Sequence, residues 1–204
     1  MAKIGLMGGT FNPIHNAHLA LAQAAYEYCG LDQVWFMPSG RSYLKKDMDI
    51  PSGEVRADMV RLAIRDIPYF SFCDLEIKRP GNTYTADTLE ELNALYPADE
   101  FYFLMGADSA FYFSHWYHPE RIAALCTLGI VGRPGKEDEE LMELLKELKT
   151  CFQARIVRIP FREQSVSSSM IREMIKKGNM ADGLIPEPVA DYIRQNGLYT
   201  SKYT

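Results

Sequence analysis

The sequence lacks the run of roughly 18 apolar residues that a membrane-spanning helix requires. Among its 204 residues the longest apolar stretch, Ile122 to Val131, is interrupted by Thr127. The apolar start of the chain is too short for a signal peptide and is followed by glycines instead of a cleavage-like site. The 4 cysteines are scattered with no C-x-x-C pair, which favours reduced thiols over a zinc or disulfide framework. These absences predict a cytoplasmic protein with no membrane partner.

The chain also lacks an excess of basic residues. Its 22 Lys+Arg against 27 Asp+Glu leave a formal net charge of −5, and no basic stripe interleaved with aromatic residues is present. A nucleic-acid partner is therefore not expected, and an anionic ligand would need a local cluster of donors. A length of 204 residues allows one well-buried domain and hardly two.

Short apolar runs alternate with amphipathic segments along the chain. The runs predict strands at 3–7, 33–37, 70–73, 100–105, 125–131 and 155–159. The segments between and after them predict helices at 18–29, 54–67, 137–148, 170–177 and 188–195, and residues 39–52 predict a mobile loop. A further helix is predicted after Thr83 or Thr85, running through Leu95 to a stop at Pro97. Gly30 is placed to end the first helix, while Thr83 or Thr85, and Ser167 or Ser168, are placed as helix caps. Strands that alternate with helices predict βαβ units and a parallel sheet.

The predicted fold is thus an α/β, Rossmann-like parallel sheet with helices on both faces. It forms a single domain over residues 1–204, with a C-terminal helical part at about 165–204. In such sheets ligands bind outside the carboxyl ends of the strands. Four predicted strands end in polar or glycine-bearing segments, and these are Gly8–His18, Ser39–Lys46, Gly106–Asp108 and Gly132–Arg133.

The segment after the first strand reads GGTFNPIHNAH and opens the first helix. Glycines let the backbone approach a phosphate closely, and the free N–H groups of a helix start favour an anion. The spacing matches neither a P-loop nor a G-x-G-x-x-G fingerprint. What remains is a pair of histidines, His15 and His18, that can face one site and donate to phosphate oxygens. A surface pair or a zinc site is the alternative, but zinc needs a third ligand and none stands at a recognisable spacing.

This loop resembles the nucleotidyltransferase superfamily, whose signature joins a glycine-bearing first loop to an H-x-G-H motif. Here Ala17 stands where glycine is usual, which adds one methyl group that we expect to be tolerated. A second segment, Val166 to Arg172, is similar to the superfamily's I-S-S-T-x-I-R motif. Serines at a helix start offer donors to phosphate, and Arg172 adds a bidentate cation. Taken alone, the segment would fit an ordinary serine cap with a solvated arginine.

Further segments resemble the bacterial nicotinate-nucleotide adenylyltransferase family in order along nearly the whole chain. They read GGTFNPIHNAHL, VWFMP, TYTADT, GAD, WY, GRPG, VSSSMIR and LIPEPVADYIRQNGLY. The resemblance implies that the adenylyl group of ATP is transferred to nicotinate mononucleotide, giving deamido-NAD and pyrophosphate in NAD biosynthesis. It implies Mg²⁺ carried mainly by the ATP phosphates, and no metal held by the protein.

The resemblance also assigns roles to individual residues. The catalytic donors would be His15, His18, Lys45 and Arg172. The ATP site would comprise Gly8, Gly9, Thr10, Phe11, Gly106, Asp108, Ser167, Ser168 and Ile171. The mononucleotide would be surrounded by Asn12, Thr83, Tyr84, Thr85, Trp116 and Arg133, with backbone N–H groups near Thr85 on the carboxylate and Trp116 stacked on the pyridine ring.

Some of these residues also fit plainer roles. Trp116 could be a core residue of an aromatic cluster, and Thr85 could simply cap a helix. Where the family often has Pro-Pro-His-Lys, this chain has Ser-Tyr-Leu-Lys, so that Leu44 replaces the histidine while Lys45 keeps the cation. Asn12 stands where aspartate is common.

Alternative functions stay open at this point. The acceptor could be nicotinamide mononucleotide or another phosphate compound, and a non-catalytic nucleotide-binding sensor could use the same fold. The length, Trp116 and the Thr83–Thr88 run speak against phosphopantetheine. The oligomeric state is also open, a homo-oligomer included.

Overall fold

The computed structural model describes residues 1–40, 50–132, 139–161 and 166–200. In this part of the chain one six-stranded sheet has the order β3-β2-β1-β4-β5-β6. Every neighbouring pair is parallel. The strands are β1 Lys3–Gly9, β2 Gln33–Pro38, β3 Phe70–Phe72, β4 Glu100–Gly106, β5 Thr127–Gly132 and β6 Arg155–Pro160. The predicted Rossmann-like α/β fold is confirmed.

Helices connect successive strands and follow the last one. They are α1 Asn16–Cys29, α2 Gly53–Ile64, α3 Leu75–Lys78, α4 Thr85–Leu95, α5 Ala107–Phe111, α6 Pro119–Leu125, α7 Glu139–Phe152, α8 Ser168–Lys176 and α9 Glu187–Gln195. A short 3₁₀ turn spans Phe113–His115. None of the helices in the described ranges is long and apolar enough to cross a bilayer.

The sheet separates two hydrophobic clusters, because alternate strand residues point to opposite faces. Met7 and Leu104 pack with residues of α1, α2, α8 and α9 on one face. Leu6 and Phe103, the neighbours of these residues in β1 and β4, pack with residues of α4, α6 and α7 on the other. Helices therefore cover both faces, as the near-continuous apolar strands predict.

Two predicted helix ends are confirmed by their local geometry. Gly30 ends α1 in the left-handed conformation, at φ 58°, which costs glycine no steric penalty. Ser167 caps α8, and its hydroxyl accepts a hydrogen bond from the Met170 N–H at 3.2 Å. The helix itself begins at Ser168, two residues before its predicted start.

Other boundaries differ from the prediction. The first helix starts at Asn16 and not at His18, because His15 is its extended N-cap residue. Neither Thr83 nor Thr85 caps α4, whose N-cap is Tyr84 with no side-chain capping bond. The strand predicted from Leu125 begins at Thr127, since Leu125 ends α6.

The short elements α3, α5 and α6 were missed, since helices of one or two turns show too few apolar positions for a periodicity. The predictions on Lys45, Leu44 and Arg133 lie outside the described residues. So do the start of the helix predicted at 137–148 and most of the loop predicted at 39–52.

The strand order places the site. The strand order reverses at β1, which lies between β2 and β4. Helices α1 and α2, which follow β1 and β2, pack on one face of the sheet, and α6, which follows β4, packs on the other. This change of face opens a crevice at the carboxyl edge of the sheet. Gly9, at the end of β1, is paired with Pro38 at the end of β2, and β4 ends at Gly106. The first loop and the segments after β2 and β4 therefore meet at one edge of the sheet.

Truncating Leu128 tests the core beneath this edge. Its side chain is fully buried in the cluster that packs against α4, α6 and α7. We expect Leu128→Ala to lower the free energy of unfolding by about 2–5 kcal/mol, from lost apolar burial and the cavity left behind. Leu95→Ala is the matched control, because Leu95 is 58% exposed. Urea denaturation of both variants measures the difference, and equal losses would contradict the assigned core.

Candidate active site

The loop between β1 and α1 forms one side of the site. It starts at Gly8 and Gly9, and a Cβ on Gly9 would lie 3.2 Å from the ring of Phe11. Phe11 has a φ of 49°, which turns the chain sharply, and its side chain is buried. Its ring contacts Phe36 at 6.0 Å and the edge of His18 at 5.1 Å between centroids. Phe11 thus holds the loop on the core, and its buried side chain leaves only its backbone for the predicted ligand contact.

Donors from distant elements hold this loop from behind. The Arg56 guanidinium in α2 donates to the Thr10 carbonyl at 2.8 Å. Arg172 in α8 donates to the Asn12 carbonyl at 2.8 Å, and the Ser168 hydroxyl donates to the Pro13 carbonyl at 2.9 Å. Because each peptide group is planar, fixing the carbonyls also fixes the directions of the adjoining N–H groups. The second motif is thereby docked on the first.

The two histidines of the first motif meet face to face. Their rings stack with centroids 3.7 Å apart and an angle of 26° between planes. The His15 backbone N–H donates to Nδ1 of His18 at 3.2 Å, so the neutral His18 ring carries its proton on Nε2. The side-chain Nδ1 of His15 is buried and has no hydrogen-bond partner among the described residues. Such atoms are uncommon in protein interiors and call for a functional reason.

Burial keeps both histidines neutral at pH 7. Desolvation lowers the pKa of His15 to about 4. Desolvation and the adjacent His15 together lower the pKa of His18 to about 3. The pair can therefore offer neutral N–H donors to an anionic ligand, but it supplies no positive charge at pH 7.

A cavity of about 240 Å³ opens beside the loop. Residues of six segments line it: the end of β1, the end of β2, α3, the start of α4, β4, and the chain from the 3₁₀ turn into α6. They are Gly8, Gly9, Thr10, Met37, Ser39, Glu76, Thr83, Tyr84, Thr85, Phe103, Trp116, Tyr117 and Ile122. The structure thus brings three predicted ATP-loop residues together with four predicted mononucleotide residues in one pocket.

The start of α4 forms the wall opposite the loop. Thr85 is the first helical residue, and Tyr84 before it provides no side-chain capping bond. The first N–H groups of a helix have no partner within the helix, so this wall presents backbone donors together with the positive end of the helix dipole. Asp87, the acidic residue of this turn, lies 3.8 Å from Arg121.

Aromatic rings form the outer part of the pocket. Trp116 is half-buried and stands nearly perpendicular to Phe103, at 88° and 5.8 Å between centroids. It is thus anchored in the core and also lines the pocket. Tyr117 lies 4.3 Å from Tyr84, ring to ring. Tyr117 was not a predicted site residue, although it follows Trp116 directly in a motif that the sequence displays.

Sequence reasoning also missed Glu76, a buried carboxylate in α3 that lines the pocket. The Thr88 hydroxyl donates to its Oε1 at 3.0 Å, and the Thr88 oxygen accepts from Arg79 at 2.7 Å. Burial raises the pKa of Glu76, while hydrogen bonds from Thr88, Thr83 and the Gly40 N–H, and the nearby Arg79, lower it. Nothing in the local sequence marks this residue, since a lone glutamate in a one-turn helix has no pattern.

Other predicted residues lie around the pocket and not in its described lining. Asn12 is buried, with its Oδ1 accepting from the Tyr199 hydroxyl at 2.7 Å. Gly106 is the N-cap of α5 and Asp108 is exposed in its first turn. The Ile171 side chain is fully buried in the core, so that only its backbone could meet a ligand.

The donor set does not include a metal site within the described residues. No group of three or more His, Cys, Asp or Glu side chains there is placed to hold a metal ion.

This chain matches a family model and several known proteins over most of its length. The cytidylyltransferase-like family matches residues 6–174. A protein of Lachnoclostridium phytofermentans is 44% identical over 201 residues, covering 98% of this chain and 100% of that one. Relatives from Dehalococcoides mccartyi (41% identical, 97% of both chains) and Bacillus cytotoxicus (39% identical, 98% of this chain and 100% of that one) are similar throughout. All three carry the name "Probable nicotinate-nucleotide adenylyltransferase".

The fold has solved counterparts as well. The Plasmodium falciparum nicotinic acid mononucleotide adenylyltransferase, in its complex with NaAD, superposes with a TM-score of 0.79 at 23% identity over 98% of both chains. The complex of that protein with APC gives a TM-score of 0.77 over the same coverage. The chain belongs to the cytidylyltransferase-like family, and within it to the nicotinate-nucleotide adenylyltransferases.

Proposed function

We propose that this chain transfers the adenylyl group of ATP to nicotinate mononucleotide, giving deamido-NAD and pyrophosphate. The observation that carries the proposal is the pocket that joins the glycine and histidine loop to the uncapped start of α4 and to Trp116. The relatives of 39–44% identity, which match 97–98% of the chain, are named for the same reaction. The reaction serves NAD biosynthesis, and the scattered cysteines support a cytoplasmic site for it.

The loop and α8 would hold ATP. Backbone N–H groups of Gly8 to Phe11 and the start of α8 at Ser167 and Ser168 offer donors to phosphate. His15 and His18 would add neutral N–H groups, Gly106 and Asp108 would meet sugar hydroxyls, and Arg172 would add a cation close to the loop it already anchors. Lys45 is proposed as a further phosphate contact on the evidence of the sequence alone.

The pocket would hold nicotinate mononucleotide. Its carboxylate fits the backbone N–H groups near Thr85, where the helix start favours an anion. The pyridine ring fits against Trp116, which Phe103 and Phe113 fix in orientation. Thr83 and Tyr84 would complete this wall. Asn12 and Arg133 are proposed as further contacts to the mononucleotide, Arg133 on the evidence of the sequence alone.

The chemistry needs positioning and charge neutralisation. An oxygen of the mononucleotide 5′-phosphate attacks the α-phosphorus of ATP in line, and the bond from the α-phosphorus to the β-phosphate oxygen breaks as pyrophosphate leaves. The nucleophile is already an anion, so no general base is required. The donors of the loop and of Arg172 would stabilise the charge that develops on the transferred phosphate. Mg²⁺ would enter as MgATP, held mainly by phosphate oxygens.

Pyrophosphate release tests the proposal directly. The full chain is supplied with ATP and Mg²⁺, and with nicotinate or nicotinamide mononucleotide in parallel. We expect the acid to be turned over with the higher kcat/KM, because backbone N–H groups donate to a carboxylate but meet the amide NH₂ as donor against donor. Preference for the amide would overturn the acceptor. ATP binding without release on either acceptor would indicate the nucleotide sensor instead.

His18→Ala tests the role of the histidine pair. Removing one donor to the transition state is expected to lower kcat by about 10²–10³-fold. His115→Ala is the matched control, since His115 is exposed, lies outside the pocket lining and has its side chain hydrogen bonded to the Ser114 hydroxyl. Steady-state kinetics of both variants decide the point, and a wild-type kcat in His18→Ala would remove this residue from the mechanism.

The depressed histidine pKa values predict a pH dependence of stability. The unfolded chain protonates its histidines near the ordinary pKa of about 6.5, whereas the folded pair does so only near 4 and 3. The unfolded state therefore binds more protons between these values, and the free energy of unfolding falls as the pH is lowered from about 6.5 to about 4. Each histidine contributes a slope of at most about 1.4 kcal/mol per pH unit.

Urea denaturation across this pH range, with His18→Gln compared with the wild type, measures the contribution of His18. We expect a shallower loss of stability in the variant, since the carboxylates contribute equally to both proteins. Parallel curves would show that His18 is not held neutral by the fold.

A further inference from the structure

Two buried ions of opposite sign approach one peptide group at the floor of the pocket. The carbonyl oxygen of Ser39 accepts from Nη2 of Arg56 at 2.8 Å. The N–H of the next residue, Gly40, donates to the carboxylate of Glu76. These are the two ends of the same peptide group. Arg56 is 4% exposed and Glu76 is 7% exposed, so both charges lie out of solvent.

Each ion also holds one wall of the pocket. Arg56 donates to the carbonyl of Thr10 in the nucleotide loop at 2.8 Å, and to the carbonyl of Pro51 at 3.1 Å. Glu76 accepts a hydrogen bond from the Thr88 hydroxyl of α4 at 3.0 Å, and Thr83, two residues before α4, also lowers the pKa of its carboxyl. The peptide itself is tied to the end of β1, because the Ser39 N–H donates to the Gly9 carbonyl at 2.8 Å.

The Ser39–Gly40 peptide is tightly packed. A Cβ on Gly40 would collide with the backbone carbonyl oxygen of Glu76, and it would lie 2.8 Å from Cγ2 of Thr83. Only glycine lets the end of β2 approach α3 and the start of α4 this closely. The distance between the two walls is therefore set through the Ser39–Gly40 peptide.

We propose that Arg56 and Glu76 are a pair of positioning residues, which act through the Ser39–Gly40 peptide to set the spacing between the nucleotide loop and the mononucleotide wall. The proposal rests on the proposed function, since it assigns the two walls to the two substrates. When a buried ion loses one hydrogen-bond partner, its charge is less well compensated and its interactions with the remaining partners change. Hydrogen bonds linked in one chain also polarise one another, so a change at one bond affects the next. A change at either ion is therefore transmitted across the peptide to the opposite wall.

Separate variants test Glu76 and Arg56. Glu76→Gln replaces an acceptor by an NH₂ group that faces the donors of Thr83, Thr88 and Gly40. We expect the KM for the mononucleotide to rise about tenfold or more, the effect of losing a hydrogen bond to a charged group, with a smaller change in the KM for ATP. Arg56→Lys keeps the charge but cannot serve three carbonyls in a fixed fork. We expect it to raise the KM for ATP as well.

The matched controls are Glu90→Gln and Arg61→Lys. Glu90 lies on α4 and pairs with Arg121, while Arg61 lies on α2 and pairs with Asp58, so both are outside the pocket lining. Each control makes the same chemical change on a helix that contributes to the site. We expect the kinetic constants of both controls to stay within about twofold of the wild type, as exposed ion pairs contribute little.

The double variant Arg56→Lys, Glu76→Gln decides whether the two residues act together. If they act through one peptide, its loss of kcat/KM for the mononucleotide is smaller than the product of the two single losses. Losses that multiply, or a Glu76→Gln profile equal to that of Glu90→Gln, would overturn the proposal. Gly40→Ala is a further test if a charge variant folds poorly, because it removes no charge. We expect it to raise the KM for the mononucleotide. An unchanged KM in a folded Gly40→Ala chain would also overturn the proposal.

Nicotinate mononucleotide affinity, measured by calorimetry on the same chains, separates this proposal from the proposed function. If the wild type binds the mononucleotide but releases no pyrophosphate, the proposed function is wrong. Weakened binding in the variants would then still support Arg56 and Glu76 as positioning residues. If the wild type turns over both substrates and all variants equal their controls, only the positioning role of Arg56 and Glu76 is overturned.

Discussion

The loop that follows β1 is held by hydrogen bonds to its carbonyl oxygens, and the rest of the site depends on this anchoring. The donors come from Arg56 in α2 and from Ser168 and Arg172 in α8, which lie 155 and 160 residues beyond their acceptors in the chain. Because a peptide group is planar, a fixed carbonyl also fixes the direction of the N–H in the same peptide. These contacts therefore hold the loop in place and also orient its N–H groups. The loop side of the site therefore depends on contacts from α8, which lies far along the chain.

Charge is distributed unevenly within this frame. The histidine pair is buried, stacked and neutral, and the hydrogen bond from the His15 N–H selects the His18 tautomer with Nε2 protonated. The cationic groups lie around the pair: Arg172 behind the loop and Arg56 beneath the pocket floor. Because the two rings are neutral, the fold avoids the cost of burying two like charges with ring centroids 3.7 Å apart.

Local signals predicted the elements and the chemistry well where a short pattern has one physical meaning. Gly30 ends α1 as a left-handed glycine, Ser167 caps α8, and the alternating apolar runs correspond to the six parallel strands. They failed where a residue's role depends on distant partners. Thr85 looked like a cap but lies within the first turn of α4. Glu76, Arg56 and Tyr199 carry no local mark, because each is defined by what the fold packs against it.

The sequence by itself determined the α/β class, the glycine and histidine loop after the first strand, and the serine and arginine segment near the end, because these follow from periodicity, capping and motif spacing. Only the tertiary structure decided that the two motifs dock on each other, that burial makes both histidines neutral, and that the Ser39–Gly40 peptide lies between Arg56 and Glu76. Desolvation and long-range hydrogen bonding depend on which atoms exclude water from a group, and that is a property of the packed chain and not of its neighbours in sequence.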